Sequence, residues 1–379
     1  MNKKIFYIVN DIHFFISHRL EIALESQRQG FDISIIFGSA LNNNYKKNLG
    51  FKYFETSFRP LGVNFFFELL GFFQIIVLLF KHKPFIVHCI SPKGILYGGI
   101  ACKFLSINNV IIAISGFGYL FSNKKIKINN FGSILLSHLY KFLFGYALAH
   151  KSKKIIVQNQ NDRNFIIRNH YANIKDVLLI PGSGVNLRNY NNSHYNSKLP
   201  IIILASRLII SKGIYEFLDA AEIVKKKYPN WEFLLFGALN KNHPDSIQFR
   251  RIQEKVGQGV IDYKGYVSNM TPWFRKSSIV CLPSYYREGL PKVLIEAAAS
   301  YNAVITTNVP GCNEAILNGQ TGDLINPRSS KDLSEKILLL IKDKNRLKKY
   351  QQQGRALAIK KFDLNDVVNT TILLYKSFY

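Results

Sequence analysis

Two carboxylates with seven residues between them, in Glu288-Gly289-Leu290-Pro291-Lys292-Val293-Leu294-Ile295-Glu296, are the residues of this chain whose type and spacing most suggest chemistry. Pro291 fits the first turn of a helix, where its missing N–H costs nothing and its fixed φ is already helical. Glu288 then falls in the loop before that helix, and Glu296 lies about one and a half turns inside it. Backbone N–H groups of residues 289–292 would be the donors of a helix N-terminus, suited to a diphosphate or a sugar oxygen. A ligand with hydroxyls beside phosphates uses both acids and the amides together, which describes a nucleotide sugar.

The competing reading makes Glu288 a helix-start acid and Glu296 a solvated helix residue. The neighbours weigh against it. Val280-Cys281-Leu282-Pro283-Ser284 is an apolar run ending in a turn, as expected of a buried strand feeding the loop. Ligands of open α/β sheets bind beyond the carboxyl ends of strands, where this loop falls. A second loop, Ala205-Ser206-Arg207-Leu208-Ile209-Ile210-Ser211-Lys212-Gly213, follows another apolar run and supplies two cations. Arg207 and Lys212 can neutralise a diphosphate leaving group as charge develops on it. A surface Arg and Lys at a helix start is the plainer alternative, but a cation pair and an acid pair from different loops of one domain are a stronger signal than either alone.

Positioning such loops requires βαβ units, and short apolar runs alternate with helical patterns throughout the chain. Strands are predicted near 4–9, 32–37, 85–90, 109–114, 153–158 and 176–181, then near 200–205, 231–236, 260–263, 278–282 and 303–306. Asn189 to Pro200 is polar and turn-rich and is predicted as a linker. With 379 residues, two α/β domains are expected. These are residues 1–192 and 199–362, with 363–379 as a helix crossing back to the first. Two doubly wound halves would face each other across a cleft.

Composition allows sizeable cores, at 47% hydrophobic and 13% aromatic. Cys89, Cys102, Cys281 and Cys312 lack pairing or metal spacing, which suits buried thiols in a reducing compartment. Lys3-Lys4 is followed by too short an apolar run for a signal peptide. Net charge is +26, and residues 69–161 contain no acid at all but eleven lysines. Such a field attracts polyanions. An anionic membrane is one candidate, worth about 1 kcal/mol per basic residue near the lipid. Nucleic acid is the other, but no recognised binding motif is present and the basic interval is coupled to apolar helices.

Asn64 to Phe80 is 17 residues interrupted by Glu68 and Gln74. It spans roughly 25 Å, short of the ~20 apolar residues a crossing needs, and is expected to be a buried crossover helix. Phe131 to Leu148 has Ser133, Ser137 and Lys141 as a narrow polar stripe and lysines on both flanks (Lys124, Lys125 and Lys127 before, Lys151, Lys153 and Lys154 after). It is the preferred candidate for lying in a membrane interface. A monotopic contact is expected, and no span.

The second half resembles the family 4 retaining glycosyltransferases of the GT-B fold. The resemblance rests on Arg207 and Lys212, Phe236-Gly237, Gly265-Tyr266-Val267, Glu288 to Glu296, Gly311 with Glu314, and Asn318-Gly319-Gln320-Thr321-Gly322. It implies that Glu296 grips the ribose hydroxyls, while Glu288 and the backbone of Gly289, Leu290 and Pro291 meet the donor sugar. Arg207 and Lys212 would hold the diphosphate, and the backbone of Tyr266 and Val267 the base. In the first half, Asn10-Asp11 with Phe14 to Leu20 looks like the opening of bacterial members that build O-antigen or lipid-linked oligosaccharides. Gly182 to Asn186, including Gly184, resembles the loop that closes the N-terminal domain, and Ser115 to Phe121 a loop facing the reaction centre.

Two departures from the family pattern stand out. Asn10-Asp11-Ile12-His13 replaces a glycine-rich loop, and Ser115-Gly116 stands where many members carry a histidine. Asp11, His18, Ser115 and Gly116 are candidate acceptor contacts, though Asp11 equally suits capping of the next helix and His18 a polar helix face.

The expected activity is transfer of a hexosyl or N-acetylhexosaminyl group from a UDP-sugar to a glycan on a polyprenyl diphosphate. It would take place at the cytoplasmic face of the inner membrane, by a peripheral protein. No Asp-x-Asp pair occurs, and the fixed cations suggest transfer without a metal or other cofactor. A nucleotide-sugar epimerase, or a non-catalytic scaffold of a glycan-assembly complex, would share the fold.

Overall fold

The computed structural model describes residues 3–38, 49–59, 64–118, 131–190, 198–240 and 243–379, with the side chains of 131–137 excepted. Two compact units divide the chain, one of Met1–Ser183 with Val367–Tyr379, the other of Gly184–Asp366.

In the first unit the strands are β1 (Lys4–Val9), β2 (Asp32–Gly38), β3 (Lys52–Thr56), β4 (Ile86–Ile90), β5 (Val110–Ile114), β6 (Lys153–Val157) and β7 (Val177–Leu179). All pairs are parallel, in the order β3-β2-β1-β4-β5-β6-β7. The central strands β1, β4 and β5 are near-continuous apolar runs, broken in β4 by the buried His88, and buried on both faces as a parallel sheet covered by helices requires. The helices are α1 (Ile12–His18), α2 (Leu20–Arg28), α3 (Phe65–His82), α4 (Pro92–Phe104), α5 (Phe131–Leu148) and α6 (Gln160–Arg168).

Strand order reverses between β1 and β4, and the loops leaving these two strands lock together there. Asn10 Oδ1 accepts from the Lys93 and Gly94 amides at 2.9 Å each, so a residue after β1 caps the helix after β4. A Cβ at Gly94 would overlap the Ile8 backbone, so glycine lets α4 start this close.

The second unit holds β8 (Ile201–Ala205), β9 (Glu232–Phe236), β10 (Asp262–Gly265), β11 (Ile279–Leu282), β12 (Ala303–Thr307) and β13 (Gly322–Ile325). They form a parallel sheet ordered β10-β9-β8-β11-β12-β13. Its helices are α7 (Ile214–Lys227), α8 (Phe249–Gly257), α9 (Thr271–Lys276), α10 (Lys292–Ala299), α11 (Ser330–Lys342) and α12 (Lys344–Lys361). A last helix, α13 (Leu364–Lys376), begins at the end of this unit and continues into the first. There the Tyr375 hydroxyl meets Tyr7 at 2.9 Å and His88 at 2.7 Å, all three buried.

Several expectations are revised. The units divide at Ser183–Gly184, ahead of the predicted linker, because Val185 and Tyr190 already pack in the second core. Residues 191–197 of that linker lie outside the described residues. Pro291 caps α10 rather than entering it, since its ψ of 119° is extended. Of the two apolar helices, the expectation for 64–80 is the one revised. Within α3 only Glu68, Gly71, Ile75 and Leu79 are buried, so it is no buried crossover. In α5, Phe144, Ala147 and Leu148 are buried while Leu139, Phe142 and Tyr146 are exposed, and Lys124, Lys125 and Lys127 lie outside the described residues. Among the described residues α3 is also the one helix long and apolar enough to cross a membrane by length and composition.

Candidate active site

The second sheet reverses its strand order between β8 and β11, and the loops leaving those strands carry the predicted cations and the first predicted acid. After β8 the chain turns through a single 3-10 turn, Ile210–Lys212, and Gly213 opens α7 with a left-handed φ of 77°. A Cβ at Gly213 would overlap the Pro283 carbonyl, so the β8 and β11 loops come this near only with glycine. Tyr285 N donates to Ser211 O at 2.9 Å, and Ser284 Oγ donates to the same oxygen at 3.2 Å.

Across this junction Lys212 Nζ forms an ion pair with Glu288 Oε1. Each side chain is only 11% exposed. Ser284 Oγ also lies 2.9 Å from Glu288 Oε1, so its one proton is shared between this carboxylate oxygen, which the lysine also meets, and Ser211 O. Burial makes this arrangement costly unless it is paired and hydrogen-bonded, and here it is both. Asp245 braces the lysine turn from outside, its carboxylate accepting from Ser211 N at 2.8 Å and its carbonyl from Ile210 N at 2.8 Å.

Beyond β12 the loop closes on the same carboxylate. Gly311 has φ 84°, and a Cβ there would overlap the Glu288 and Gly289 carbonyls. Thr307 Oγ1 donates to Ser284 O. The neighbouring Cys312 thiol is pushed up to about 12, chiefly by burial and next by the charge of Glu288.

Arg207 sits in the same β8 loop but is exposed, with no carboxylate partner among the described residues. Leu208, next to it, is buried and its amide donates to Ala238 O at 3.2 Å, which ties the loop to the exit of β9. Gly237 N in turn donates to Gly265 O at 2.8 Å, joining the exits of β9 and β10. Tyr266 follows as an exposed ring, and Val267 packs on the core. The predicted contacts for base, diphosphate and sugar thus follow one another along the carboxyl edge of the sheet, at β10, β8 and β11.

Glu296 stands apart from Glu288, one turn inside α10. Its side chain is 16% exposed, faces Lys292 Nζ at 3.6 Å and accepts from the Tyr190 hydroxyl. Burial raises its pKa above the usual carboxylate range, opposed by Lys292 and by the tyrosine. Tyr190 rises too, from its own burial first and the adjacent Glu296 charge second. Pro291, the N-cap of α10, makes no side-chain cap hydrogen bond, and Gly289, Leu290 and Pro291 are the helix's approach. Gly184, φ 72°, is the first residue of the unit, and Val185 beside it pairs with Phe362 through an amide–carbonyl bond of 2.8 Å.

Candidate acceptor residues occupy two places in the first unit. Asp11 caps α1, its carboxylate accepting from His13 N at 2.9 Å, and His18 stacks on Phe14 with ring centroids 4.2 Å apart. Ser115 and Gly116 follow β5 and line a small cavity with Ser91, Pro92, Phe117 and Tyr140. The Tyr140 hydroxyl there is buried, with no hydrogen-bond partner among the described residues.

Ser284, Tyr190 and Thr307 were not singled out by sequence. Ser284 sits in a motif that was read only as a strand end. Tyr190 lies in the presumed linker, 106 positions from its carboxylate, and no local pattern connects the two.

Two doubly wound parallel sheets in one chain, the second with a cation–carboxylate pair at its switch point, define a GT-B architecture. Comparisons agree. Residues 4–159 match the family model described as glycosyl transferase 4-like, and residues 188–357 match that of glycosyl transferases group 1. The N,N'-diacetylbacillosaminyl-diphospho-undecaprenol alpha-1,3-N-acetylgalactosaminyltransferase of Campylobacter jejuni is 26% identical over 343 residues, covering 87% of this chain and 86% of that protein. The capsular polysaccharide biosynthesis glycosyltransferase CapM of Staphylococcus aureus is 25% identical, covering 83% and 82%. Among solved structures, Anabaena HepE in complex with UDP superposes with a TM-score of 0.79 at 14% identity, covering 99% of this chain and all of that one. The chain belongs to the family 4 glycosyltransferases of the GT-B fold and is an enzyme of that class.

Proposed function

We propose that the protein transfers a hexosyl or N-acetylhexosaminyl group from a UDP-sugar to a glycan on a polyprenyl diphosphate, at the cytoplasmic face of the membrane and with retention of the donor configuration. The observation that carries the reading is the buried Lys212–Glu288 pair at the switch point of the second sheet. The activity of the Campylobacter relative supports a lipid-linked acceptor, and the UDP complex of HepE supports the nucleotide.

In this reading the diphosphate lies against the β8 loop. Arg207, exposed and without a carboxylate partner among the described residues, meets it directly. Lys212 contributes a second positive charge held in place by Glu288 before the donor arrives. Preorganised charge of this kind stabilises the departing nucleoside diphosphate without reorganisation, and removing one such donor elsewhere costs about 100- to 1,000-fold. Glu288 and the approach to α10 (Gly289, Leu290, Pro291) hold the sugar, and Glu296 accepts from the ribose hydroxyls. Tyr266 and Val267 present backbone to the base, and Gly184 contributes to donor binding. The acceptor hydroxyl attacks the face from which the diphosphate leaves, and a leaving-phosphate oxygen takes its proton. Asp11, His18, Ser115 and Gly116 contribute on the acceptor side. The two cations do the neutralising work that a divalent ion does elsewhere, so transfer needs no metal.

The test is a panel of labelled UDP-sugars supplied to purified protein with membranes of the source cell, followed by organic extraction. Label should enter the lipid phase from one donor and fail to do so with Glu296→Ala. Equal lipid labelling by that variant, or sugar conversion with no acceptor present, would contradict the proposal.

A further inference from the structure

The first unit carries an apolar surface that its own core does not use. One stripe of α3 faces inward, and it is the stripe with the polar groups. Glu68 accepts from Lys93 Nζ at 2.7 Å and from the Tyr97 hydroxyl at 2.5 Å, and Gln74 Oε1 accepts from Ser57 N at 2.7 Å. Gly71 lets the helix approach closely, since a Cβ there would overlap the Phe58 backbone. The opposite stripe, Phe66, Leu70, Phe73, Val77 and Phe80, has helical spacing and faces solvent. The three phenylalanines are 68%, 53% and 68% exposed. This inverts the usual polarity of a surface helix, whose outer face is polar. Contiguous apolar surface of this kind marks an interaction site.

Charge identifies the occupant. α3, α4 and α5 are crossover helices of one all-parallel sheet, and α4 packs against both of the others. Each carries an exposed phenylalanine next to a lysine in sequence, as Phe80-Lys81, Lys103-Phe104 and Lys141-Phe142. The pattern repeats at the α4–α5 contact, where Lys103 Nζ lies 3.6 Å from the Tyr146 ring centroid. Glu68, the only acid of α3, is consumed inside, and no other occurs before Asp162. Apolar rings beside ammonium groups suit a bilayer surface, with rings among acyl chains and lysines at the level of anionic headgroups. A second copy fits poorly, because a two-fold contact through this face would set the lysines against one another.

We propose that the outer face of α3, flanked by the lysines of α4 and α5, docks the protein on an anionic lipid bilayer, with α3 lying in the interface and not spanning it. The assignment deepens the membrane-linked reading above but rests on this surface alone. Docking to the rest of the unit through Glu68, Gln74, Ile75 and Leu79 keeps the helix from turning across the membrane.

The experiment is vesicle co-sedimentation of the full chain, with phosphatidylcholine alone and with phosphatidylglycerol added. Wild type should bind the anionic vesicles at least tenfold more tightly at low salt. Phe66→Ser/Phe73→Ser/Phe80→Ser, all at exposed positions, should lose about 100-fold in partition, in line with three exposed rings withdrawn from the lipid. Phe73→Trp should be quenched by brominated acyl chains on binding, while the two native tryptophans give the unbound baseline. Three results would overturn the proposal: unchanged vesicle binding by the triple variant, retention in the membrane after alkaline carbonate, or a wild-type dimer in solution that the triple variant dissolves. Transfer to a water-soluble acceptor separates this idea from the proposed function. The triple variant should keep that transfer, whereas a wild type that binds vesicles but transfers nothing would sink the function and leave the docking standing.

Discussion

Lys212 and Glu288, 76 positions apart in the chain, form a buried ion pair across the point where the second sheet reverses its strand order. The pairing changes how the cation acts. Its charge is compensated before any ligand binds, so the lysine is held in one geometry in place of sweeping through solvent. Arg207, exposed in the same loop, is left as the side chain that a diphosphate would meet first.

Breaking the pair from one side should damage stability and turnover together. Lys212→Met leaves Glu288 buried and uncompensated, which should cost about 3–5 kcal/mol in urea unfolding. Lys212→Met/Glu288→Gln should recover most of that stability, since the charge is removed with its partner, yet stay at least about 100-fold down in turnover. A double variant as unstable as the single one would show that the pair is not the reason.

Donor affinity should depend on pH through Glu296. Burial raises its pKa in the folded state, so the carboxylate proposed to accept from ribose forms only as pH rises through that raised value. UDP affinity should therefore increase with pH across the weakly acidic range and become flat in Glu296→Gln. Stability runs the opposite way. A folded pKa above the unfolded one favours the folded state at low pH, and this contribution is lost as pH rises through the folded value. Titrations of UDP binding and of urea midpoints over the same range check both signs.

Glycine at 311 should be indispensable where glycine at 259 is not. Both have positive φ, at 84° and 68°, but a Cβ at Gly311 overlaps the Glu288 and Gly289 carbonyls while one at Gly259 meets nothing. Gly259→Ala should cost about 1 kcal/mol, the strain of the backbone region alone. Gly311→Ala should cost more than that and lower turnover as well, because the displaced carbonyls belong to the acid's own loop. Equal effects of the two in thermal unfolding and rate would remove the packing argument.

Transfer should survive chelation. With EDTA present and no divalent ion added, turnover should stay within about twofold of its untreated value if Arg207 and Lys212 neutralise the diphosphate. Loss restored by a divalent ion would assign that work to a metal.

Much of this was legible before the structure, and the gaps have physical causes. Most of the eleven expected strands stood out because parallel strands buried on both faces are written as apolar runs, although the edges β7 and β10 were expected as well. The two not expected, β3 and β13, are the other sheet edges, where Lys52, Glu55 and Asp323 interrupt the apolar signal. The loop residues Arg207, Lys212 and Glu288 were visible from their place after strands, but the lysine's partner was not, since pairing across a switch point is a property of the sheet order. Tyr190 was hidden in a polar stretch for the same reason. The role of α3 was misjudged because composition reports how apolar a helix is and not which side the sheet covers. Glu68 looked like an interruption of an apolar run, and is the group by which that run is docked.

The most direct test of the central claim is calorimetric titration of UDP into the purified chain, wild type beside Arg207→Met and Lys212→Met. The account predicts saturable binding at one site per chain, weakened at least tenfold by either variant, with folding of each confirmed by circular dichroism. Absence of UDP binding to the folded wild type, or equal affinity in all three, would contradict the placement of the donor diphosphate on this loop.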